Sequence, residues 1–355
     1  MINLSNFAQT KLAAQAKNYL LNLCRKVRQT TYGKEILYQV QSFLDNTLMI
    51  ALTYQCQCSC KHCGVPLYPE PKDRELNREE IIKLIIAAKK FKMKAIYFTG
   101  GEPFLCPELL HYIHQAKQLN LIVNIDTNGL LLTKEKVKQL KQLNVDDIGI
   151  SLDGASKDTH DKLRGAKELF DKAVNGIKYC KQYNLSCFIS TYASKENIKN
   201  GELANMVTLA NKLNVEMRIM SPICSGQWLN SDEEKIILSP QEIILMKQIL
   251  KPGLIYWERR KIDRMTSCFF CSSLQKKLTY VTAYGDVQPC CHMPLIFGNI
   301  RKESLEEIMQ RMWNSKIFRD NKNNQWSDCP TNDKHFRKIY KNKEQNTCTT
   351  QIYKT

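Results

Sequence analysis

Long apolar runs are missing from this chain of 355 residues, and so are the features of an exported protein. No stretch approaches the about eighteen uninterrupted apolar residues that a membrane-spanning helix requires. The first residues, Met1–Ser5, lack the charged and apolar regions of a secretory signal. Because 43% of the residues are hydrophobic and 25% are charged, the composition is that of a globular protein. We therefore expect a cytoplasmic location.

Acidic residues are absent from residues 1–34, which contain six basic ones. Apolar side chains recur there at helical spacing, at Leu12, Ala16, Tyr19, Leu20 and Leu23. This pattern predicts a basic amphipathic helix within an N-terminal extension of residues 1–46. The helix either packs on the main domain with its lysines in solvent, or it makes a peripheral contact with a membrane surface, as a transit-like segment also could.

The net charge of +17 favours an anionic partner, but it does not choose among nucleic acid, an acidic peptide and a lipid surface. The basic residues are spread along the chain and form no stripe with aromatic residues, and no nucleic-acid-binding motif is present. Nucleic acid is therefore not the expected partner. A non-catalytic, zinc-dependent nucleic-acid-binding protein stays as the alternative from another functional class.

From Thr47 onward, short apolar or β-branched runs alternate with longer helical patterns, which is typical of βα units around a parallel sheet. No internal repeat is evident. After Met220 the alternation stops, which indicates a second, smaller module. The predicted strands are 48–53, 95–99, 122–126, 148–152, 186–192 and 216–220, and the predicted helices are 77–92, 107–119, 133–143, 168–182, 197–213, 240–251 and 303–313.

Fifteen cysteines in a chain without export features suggest metal binding or chemistry, because the cytosol keeps thiols reduced. Ten of them form two groups, four within residues 56–63 and six in the last quarter of the chain. The first group contains a CxxxCxxC frame, Cys56, Cys60 and Cys63. Three thiolates from one loop can hold a four-iron cluster and leave one iron open for a ligand. A zinc site that joins residues 60–63 to residues 268–271 is the competing interpretation.

The cysteine loop follows a predicted strand and precedes Gly100-Gly101-Glu102-Pro103, and together they resemble the radical S-adenosylmethionine superfamily. His62 occupies the position where that family has an aromatic residue, and Cys58 is an extra thiol that the family frame lacks. The resemblance spans roughly residues 47 to 315 and implies a partial (β/α)6 TIM-like barrel. It also implies a [4Fe-4S] cluster, S-adenosylmethionine cleaved to a 5'-deoxyadenosyl radical, and a one-electron donor of the flavodoxin or ferredoxin type.

The resemblance assigns further residues to S-adenosylmethionine. Gly100, Gly101 and Glu102 would hold its ammonium group, and glycines allow the close backbone approach. Ser151-Leu152-Asp153-Gly154 followed by His160-Asp161-Lys162-Leu163-Arg164-Gly165 looks like the signature of family members that modify peptides, in which Arg164 would hold the carboxylate. Asn128 and Ser151 would contact the ribose.

A second resemblance lies near the C-terminus. Cys271, thirteen residues, Gly285, four residues and Cys290 resemble the hairpin of twitch and SPASM auxiliary-cluster domains. Because this tail carries fewer cysteines than a full SPASM domain, we expect one auxiliary cluster. Its ligands would be Cys271 and Cys290 with two of Cys268, Cys329 and Cys348, and Cys291 is a substitute for Cys290.

These resemblances predict an enzyme that abstracts hydrogen from a peptide or protein, with a small molecule or a lipid at the membrane as the alternative substrate. Cys224, just past the sixth strand, is a hypothetical hydrogen donor to a substrate radical, and a buried spectator thiol is the competing interpretation. The predicted divisions are the extension 1–46, the barrel 47–222, a connecting segment 223–267 and the auxiliary-cluster domain 268–355.

Overall fold

The computed structural model describes residues 46–64, 74–251, 253–258, 260–262, 267–269, 271–319 and 329–341. The predicted amphipathic helix within residues 1–34 and Cys348 lie outside these residues. The described helices include none that is both long enough and apolar enough to cross a membrane.

Six parallel strands, paired in chain order, form the centre of one sheet. Their ends differ from the predicted ends by at most two residues. The predicted α/β class and partial (β/α)6 arrangement are therefore confirmed. The strands are β1 (Thr47–Ala51), β2 (Ala95–Thr99), β3 (Ile122–Thr127), β4 (Asp147–Ser151), β5 (Cys187–Tyr192) and β6 (Glu216–Met220).

The sheet continues beyond both of its predicted edges. Strand β7 (Ile255–Trp257) pairs parallel to β6, whereas β8 (Arg260–Ile262) and β9 (Ser267–Phe269) form a separate pair. At the other edge, β10 (Leu278–Val281) runs parallel to β1, and β11 (Asp286–Gln288) and β12 (Gly298–Asn299) follow antiparallel. The described strands thus form an open ten-stranded sheet that includes the C-terminal hairpin. The domain boundaries stay predictions.

Helices occupy the connections between the strands. The helix predicted at 197–213 is divided in two, Lys195–Lys199 and Glu202–Leu213. Four described helices were not predicted: Lys157–Arg164, Glu233–Ile236, Lys316–Arg319 and Lys334–Lys341. The helices are α1 (Arg78–Lys90), α2 (Leu109–Gln118), α3 (Lys134–Gln142), α4 (Lys157–Arg164), α5 (Leu169–Gln182), α6 (Lys195–Lys199), α7 (Glu202–Leu213), α8 (Glu233–Ile236), α9 (Pro240–Ile249), α10 (Leu305–Trp313), α11 (Lys316–Arg319) and α12 (Lys334–Lys341).

Four helices, α2, α3, α5 and α7, end in the same way. Each is followed by an asparagine in the left-handed region and then by a buried apolar residue, whose N–H donates to the carbonyl five residues back. At α2, for example, Asn120 has a φ of 56° and the N–H of Leu121 donates to Ala116 over 3.1 Å. This ending turns the chain into the core where the next strand begins. The same order of an apolar or aromatic residue, an asparagine and a buried apolar residue recurs around Asn144, Asn184 and Asn214. A short repeat is therefore present that was not recognised from the sequence.

Helix α1 offers a matched pair for testing the packing against the sheet. Ile85 is completely buried, whereas its neighbour Ile86 is 55% exposed. We expect Ile85→Ala to lower the free energy of unfolding by about 2–5 kcal/mol, because the truncation removes buried apolar surface and leaves a cavity. Ile86→Ala should lower it by less than about 0.5 kcal/mol. Urea unfolding followed by circular dichroism measures both values, and equal losses would contradict the packing described.

Candidate active site at the cysteine loop

The cysteine loop begins directly after β1, at the carboxyl end of the sheet. Its backbone is held by the end of α4, because Ser59 N–H donates to Arg164 O at 2.9 Å and Lys61 N–H to Leu163 O at 3.4 Å. On its other side, Gln227 N–H donates to Cys63 O at 2.9 Å. The loop is therefore fixed between α4 and the turn that follows β6.

Close packing at Gly165 reinforces the contact with α4. Gly165 has a φ of 63°, in the left-handed region, and a Cβ there would overlap the side-chain oxygen of Ser59. Glycine both ends α4 and lets the cysteine loop approach.

Three thiols of the loop lie in contact. Hydrogen bonding from Cys58 lowers the pKa of Cys56 and of Cys60 to about 6, and these contacts raise the pKa of Cys58 itself. The side-chain amide of Asn128 also donates to the sulfur of Cys56, over 3.7 Å. The thiolate is the form in which cysteine binds metal. The frame of Cys56, Cys60 and Cys63 as ligands stays a prediction.

The Gly-Gly-Glu segment after β2 runs against the start of the loop. Gly101 N–H donates to Thr53 O at 2.7 Å, and Glu102 N–H donates to Gln55 O at 2.8 Å. A Cβ at Gly100 would overlap the carbonyl oxygen of Thr53, and one at Gly101 would overlap that of Gln55. The two glycines therefore permit this contact between backbones.

Glu102 is completely buried below the loop. Its carboxylate accepts hydrogen bonds from Thr127 Oγ1 at 2.8 Å, from Asn128 N–H at 2.7 Å and from Phe104 N–H at 3.1 Å. Burial raises the pKa of Glu102 to about 7, although these hydrogen bonds act in the opposite direction. An ionised carboxylate has about four acceptor positions, so one remains for a cationic group.

Asp153, directly after β4, connects several predicted site residues. Its Oδ2 lies 2.7 Å from Arg164 Nε and 3.2 Å from His62 Nε2, and Thr191 donates to its Oδ1 at 3.2 Å. Burial alone would raise the pKa of Asp153, but Arg164 and His62 hold it well below its usual range. Since the contact uses Nε of Arg164, the terminal nitrogens of the guanidinium remain as donors.

Two histidines, the partly buried His62 and the fully buried His160, flank this carboxylate. His160 Nδ1 accepts the backbone N–H of Asp153 at 3.0 Å, and burial lowers the pKa of His160 to about 4. His160 is therefore neutral, with its proton on Nε2. The ring of His62 stacks on Tyr192 with centroids 3.8 Å apart, and its Nδ1 has no hydrogen-bond partner among the described residues.

Two pockets open beside the loop and share Tyr192 and Trp228. The first, of about 50 Å³, is lined by His62, Met220, Glu258 and His292, among others. Its walls come from both the barrel and the C-terminal hairpin. A hydrogen bond of 3.1 Å between Ser225 Oγ and His292 Nδ1 connects the two. The second is an open groove of about 670 Å³ along α4, α6 and α8.

The described cysteines of the C-terminal region are mostly buried. Cys271 and Cys329 pack together with Ile223, and Cys290 lies in the main core. Cys291 is partly exposed, and Cys268 belongs to β9. Within the described parts of the chain, no three side chains of His, Cys, Asp or Glu converge on a single metal ion.

Cys224 is completely buried, and its N–H donates to the side chain of Asn332 at 2.9 Å. Its neighbours Ile223 and Ser225 line the small pocket, but Cys224 does not. The geometry therefore gives no support to Cys224 as a hydrogen donor, and that role stays a hypothesis.

Family models match both halves of this arrangement. The model of the radical SAM superfamily matches residues 50–207, and the SPASM model, described as an iron-sulfur cluster-binding domain, matches residues 271–349. The chain belongs to the radical SAM superfamily. It is accordingly an enzyme that uses radical chemistry with a [4Fe-4S] cluster and S-adenosylmethionine, and its SPASM domain binds additional iron-sulfur. The predicted family, enzyme class and cofactors are confirmed.

Relatives of this radical SAM enzyme have different names. The AdoMet-dependent heme synthase of Methanosarcina barkeri is 27% identical over 299 residues, which cover 76% of this chain and 82% of that protein. The Fe-coproporphyrin III synthase of the same organism is 33% identical over 153 residues, 42% and 37% of the two chains. The structure of Streptococcus suis SuiB bound to S-adenosylmethionine has a TM-score of 0.61, 13% identity, and coverage of 82% of this chain and 71% of that one.

The residues present fit the cofactors of the family. Cys56, Cys60 and Cys63 share one loop, and the carboxylate of Glu102 is buried beside it. The structure also brings His62, Arg164 and Asn128 to this loop, while Ser151 ends β4 beside Ser190. Sequence reasoning missed Asp153 and His160 as site residues, although both belong to the quoted motif. It also missed Glu258 and His292, which no spacing connects to the loop.

Asp153→Asn tests the centre of this network. The substitution leaves Arg164 as a buried cation without its partner, so we expect a loss of about 3–5 kcal/mol in the free energy of unfolding. S-Adenosylmethionine binding, measured by equilibrium dialysis on the reconstituted enzyme, should weaken as well. The matched control is Asp171→Asn, which breaks an exposed pair with Lys157 and should leave the free energy of unfolding almost unchanged, because solvent screens this pair. Equal losses in the two variants would contradict a central role for Asp153.

Proposed function

We propose that this radical SAM enzyme modifies a peptide or protein by abstracting a hydrogen from one of its side chains. The observation that carries the proposal is the pair of pockets. The small one, beside the cysteine loop, has room for a single side chain, and it shares Tyr192 and Trp228 with the lining of a much larger open groove. A chain molecule can occupy both at once.

The residues of the loop would hold the cofactors. Cys56, Cys60 and Cys63 would ligate the cluster, Glu102 would receive the ammonium group of S-adenosylmethionine, and Arg164 its carboxylate. Asn128 and Ser151 would contact the ribose. When bound, these cofactors supply hydrogen abstraction from an unactivated carbon. A flavodoxin or ferredoxin would deliver the electron.

The small pocket would hold the reacting side chain. His62, Tyr192 and Trp228 form an aromatic wall. The ring centroid of Tyr192 lies 3.8 Å from that of His62 and 5.6 Å from that of Trp228. Such a wall excludes water and fixes the substrate, which a reactive radical requires. Glu258 and His292 are the groups that can accept or donate a proton there. Solved SuiB structures include one with a precursor peptide, which is in keeping with this proposal.

A small polycarboxylic molecule, such as a tetrapyrrole, is the second candidate. The names of the relatives favour it, since they include an AdoMet-dependent heme synthase and an Fe-coproporphyrin III synthase. Such a molecule would use the groove and insert only a side chain into the small pocket.

The ligand assignment is tested with single cysteine variants. After anaerobic reconstitution, Cys56→Ala, Cys60→Ala and Cys63→Ala should each lose 5'-deoxyadenosine formation by about a hundredfold or more, since one missing thiolate disrupts cluster binding. Cys58→Ala is the matched control from the same loop and should retain activity. Loss in Cys58→Ala with retention in Cys56→Ala would overturn the proposed frame.

The substrate class is tested by isotope transfer. A uniformly deuterated peptide digest of a bacterial proteome is incubated with the reduced enzyme, and 5'-deoxyadenosine is examined by mass spectrometry. We expect deuterium in the nucleoside, because hydrogen comes from the peptide. Absence of deuterium, together with conversion of iron-coproporphyrin III in a parallel reaction, would replace the peptide proposal by the second candidate.

A further inference from the structure

The large groove beside the cysteine loop has a basic rim. Four lysines line it, and each comes from a different part of the chain: Lys61 from the cysteine loop, Lys162 from α4, Lys195 from α6 and Lys235 from α8. Only two acidic residues, Asp158 and Glu196, line the same groove. Its volume of about 670 Å³ lies within the range of about 300–1,000 Å³ that is common for ligand sites.

Most of this positive charge is not neutralised within the described chain. Lys61, Lys162 and Lys235 are exposed and form no ion pair with any described residue. Lys195 is the exception, since its ammonium group lies 3.7 Å from Glu242. The groove therefore presents several ammonium groups that can bind an anion.

The other residues that line the groove are mostly uncharged. Tyr192, Trp228, Pro222 and Ile236 provide apolar and aromatic surface, and Thr159, Ser194 and Asn200 add neutral hydrogen-bonding groups. Tyr192 and Trp228 also belong to the small pocket. A ligand in the groove thus lies next to the position proposed for the reacting side chain.

We propose that this groove, which we call the lysine groove, binds a carboxylate-bearing part of the substrate. Its four lysines provide several single positive charges, each of which can pair with one carboxylate. Asp158 and Glu196 would also repel a phosphate dianion more strongly than a carboxylate. The inference rests on the proposed function for the site of reaction, and it names the chemistry by which the substrate is recognised.

Two fluorescent peptides, one rich in glutamate and its glutamine counterpart, test the inference on the reconstituted full chain. Binding is measured by anisotropy with S-adenosylmethionine present, at low and at high salt. The glutamate peptide should bind about tenfold more tightly at low salt, with the advantage decreasing as salt screens the charges. The double variant Lys162→Glu/Lys235→Glu, which leaves the cysteine loop intact, should reverse the preference in favour of the glutamine peptide.

A matched control changes two exposed lysines outside the groove, in Lys138→Glu/Lys172→Glu. It has the same net charge as the groove variant and should keep the preference for glutamate. Iron content and thermal unfolding verify that both variants fold. If both peptides bind and bind equally, or if the control variant has the same effect as the groove variant, the inference is overturned and the proposed function is left standing.

Coproporphyrin III and its tetramethyl ester distinguish the source of the carboxylates. One outcome is that neither peptide binds, that the free porphyrin binds, and that the groove variant weakens binding of the free porphyrin but not of its ester. In that case the inference of carboxylate recognition holds and the proposed peptide substrate is wrong. If porphyrin and ester bind equally and neither peptide binds, both the inference of carboxylate recognition and the proposed peptide substrate are overturned.

Discussion

The buried ion pair between Arg164 and Asp153 determines how the cysteine loop is placed on the barrel. Asp153 follows a strand in the middle of the sheet, and Arg164 ends α4, whose last carbonyls hold the loop. The same carboxylate contacts His62 inside the loop. A buried pair of this kind contributes little net stability, because desolvation offsets its attraction. Its effect is positional: the end of β4, the end of α4 and the loop keep one mutual arrangement.

A second polar layer lies inside the barrel below this pair. Tyr97 donates to Asp126 at 2.9 Å, and desolvation raises the pKa of Asp126 to about 7. Arg218 stacks over Phe188 at 3.5 Å and pairs with Asp147 at 2.8 Å. Gly149 provides the space, since a Cβ there would overlap Asp126. The barrel interior is therefore partly polar, in contrast to the apolar contacts between the sheet and the helices outside it.

Local patterns in the sequence were sufficient to predict the parts of this fold that depend on local interactions. Alternating apolar runs located six strands, because each buries one or both faces of a parallel sheet. The pairing of β10 with β1 and of β7 with β6 was missed, since those strands are only three or four residues long and join partners far away in the chain. Helix α4 was missed for another reason. With charged residues at most positions, Lys157–Arg164 has little apolar periodicity and buries mainly His160 and Arg164, which belong to the site.

In the candidate site, too, the residues that depend on local sequence were predicted and those that depend on distant contacts were not. Motif spacing identified the cysteines, the glycines and Arg164, whose roles depend on a short stretch of chain. It could not identify Glu258 or His292, because the pocket they line forms only when the C-terminal hairpin joins the sheet beside β1 and the Ser225–His292 contact connects it to the barrel. One wall of the small pocket therefore comes from the domain that binds additional iron-sulfur. Since a radical must be kept from water, and this pocket is lined by residues from both parts of the chain, docking of the C-terminal domain would be part of building the proposed reaction chamber.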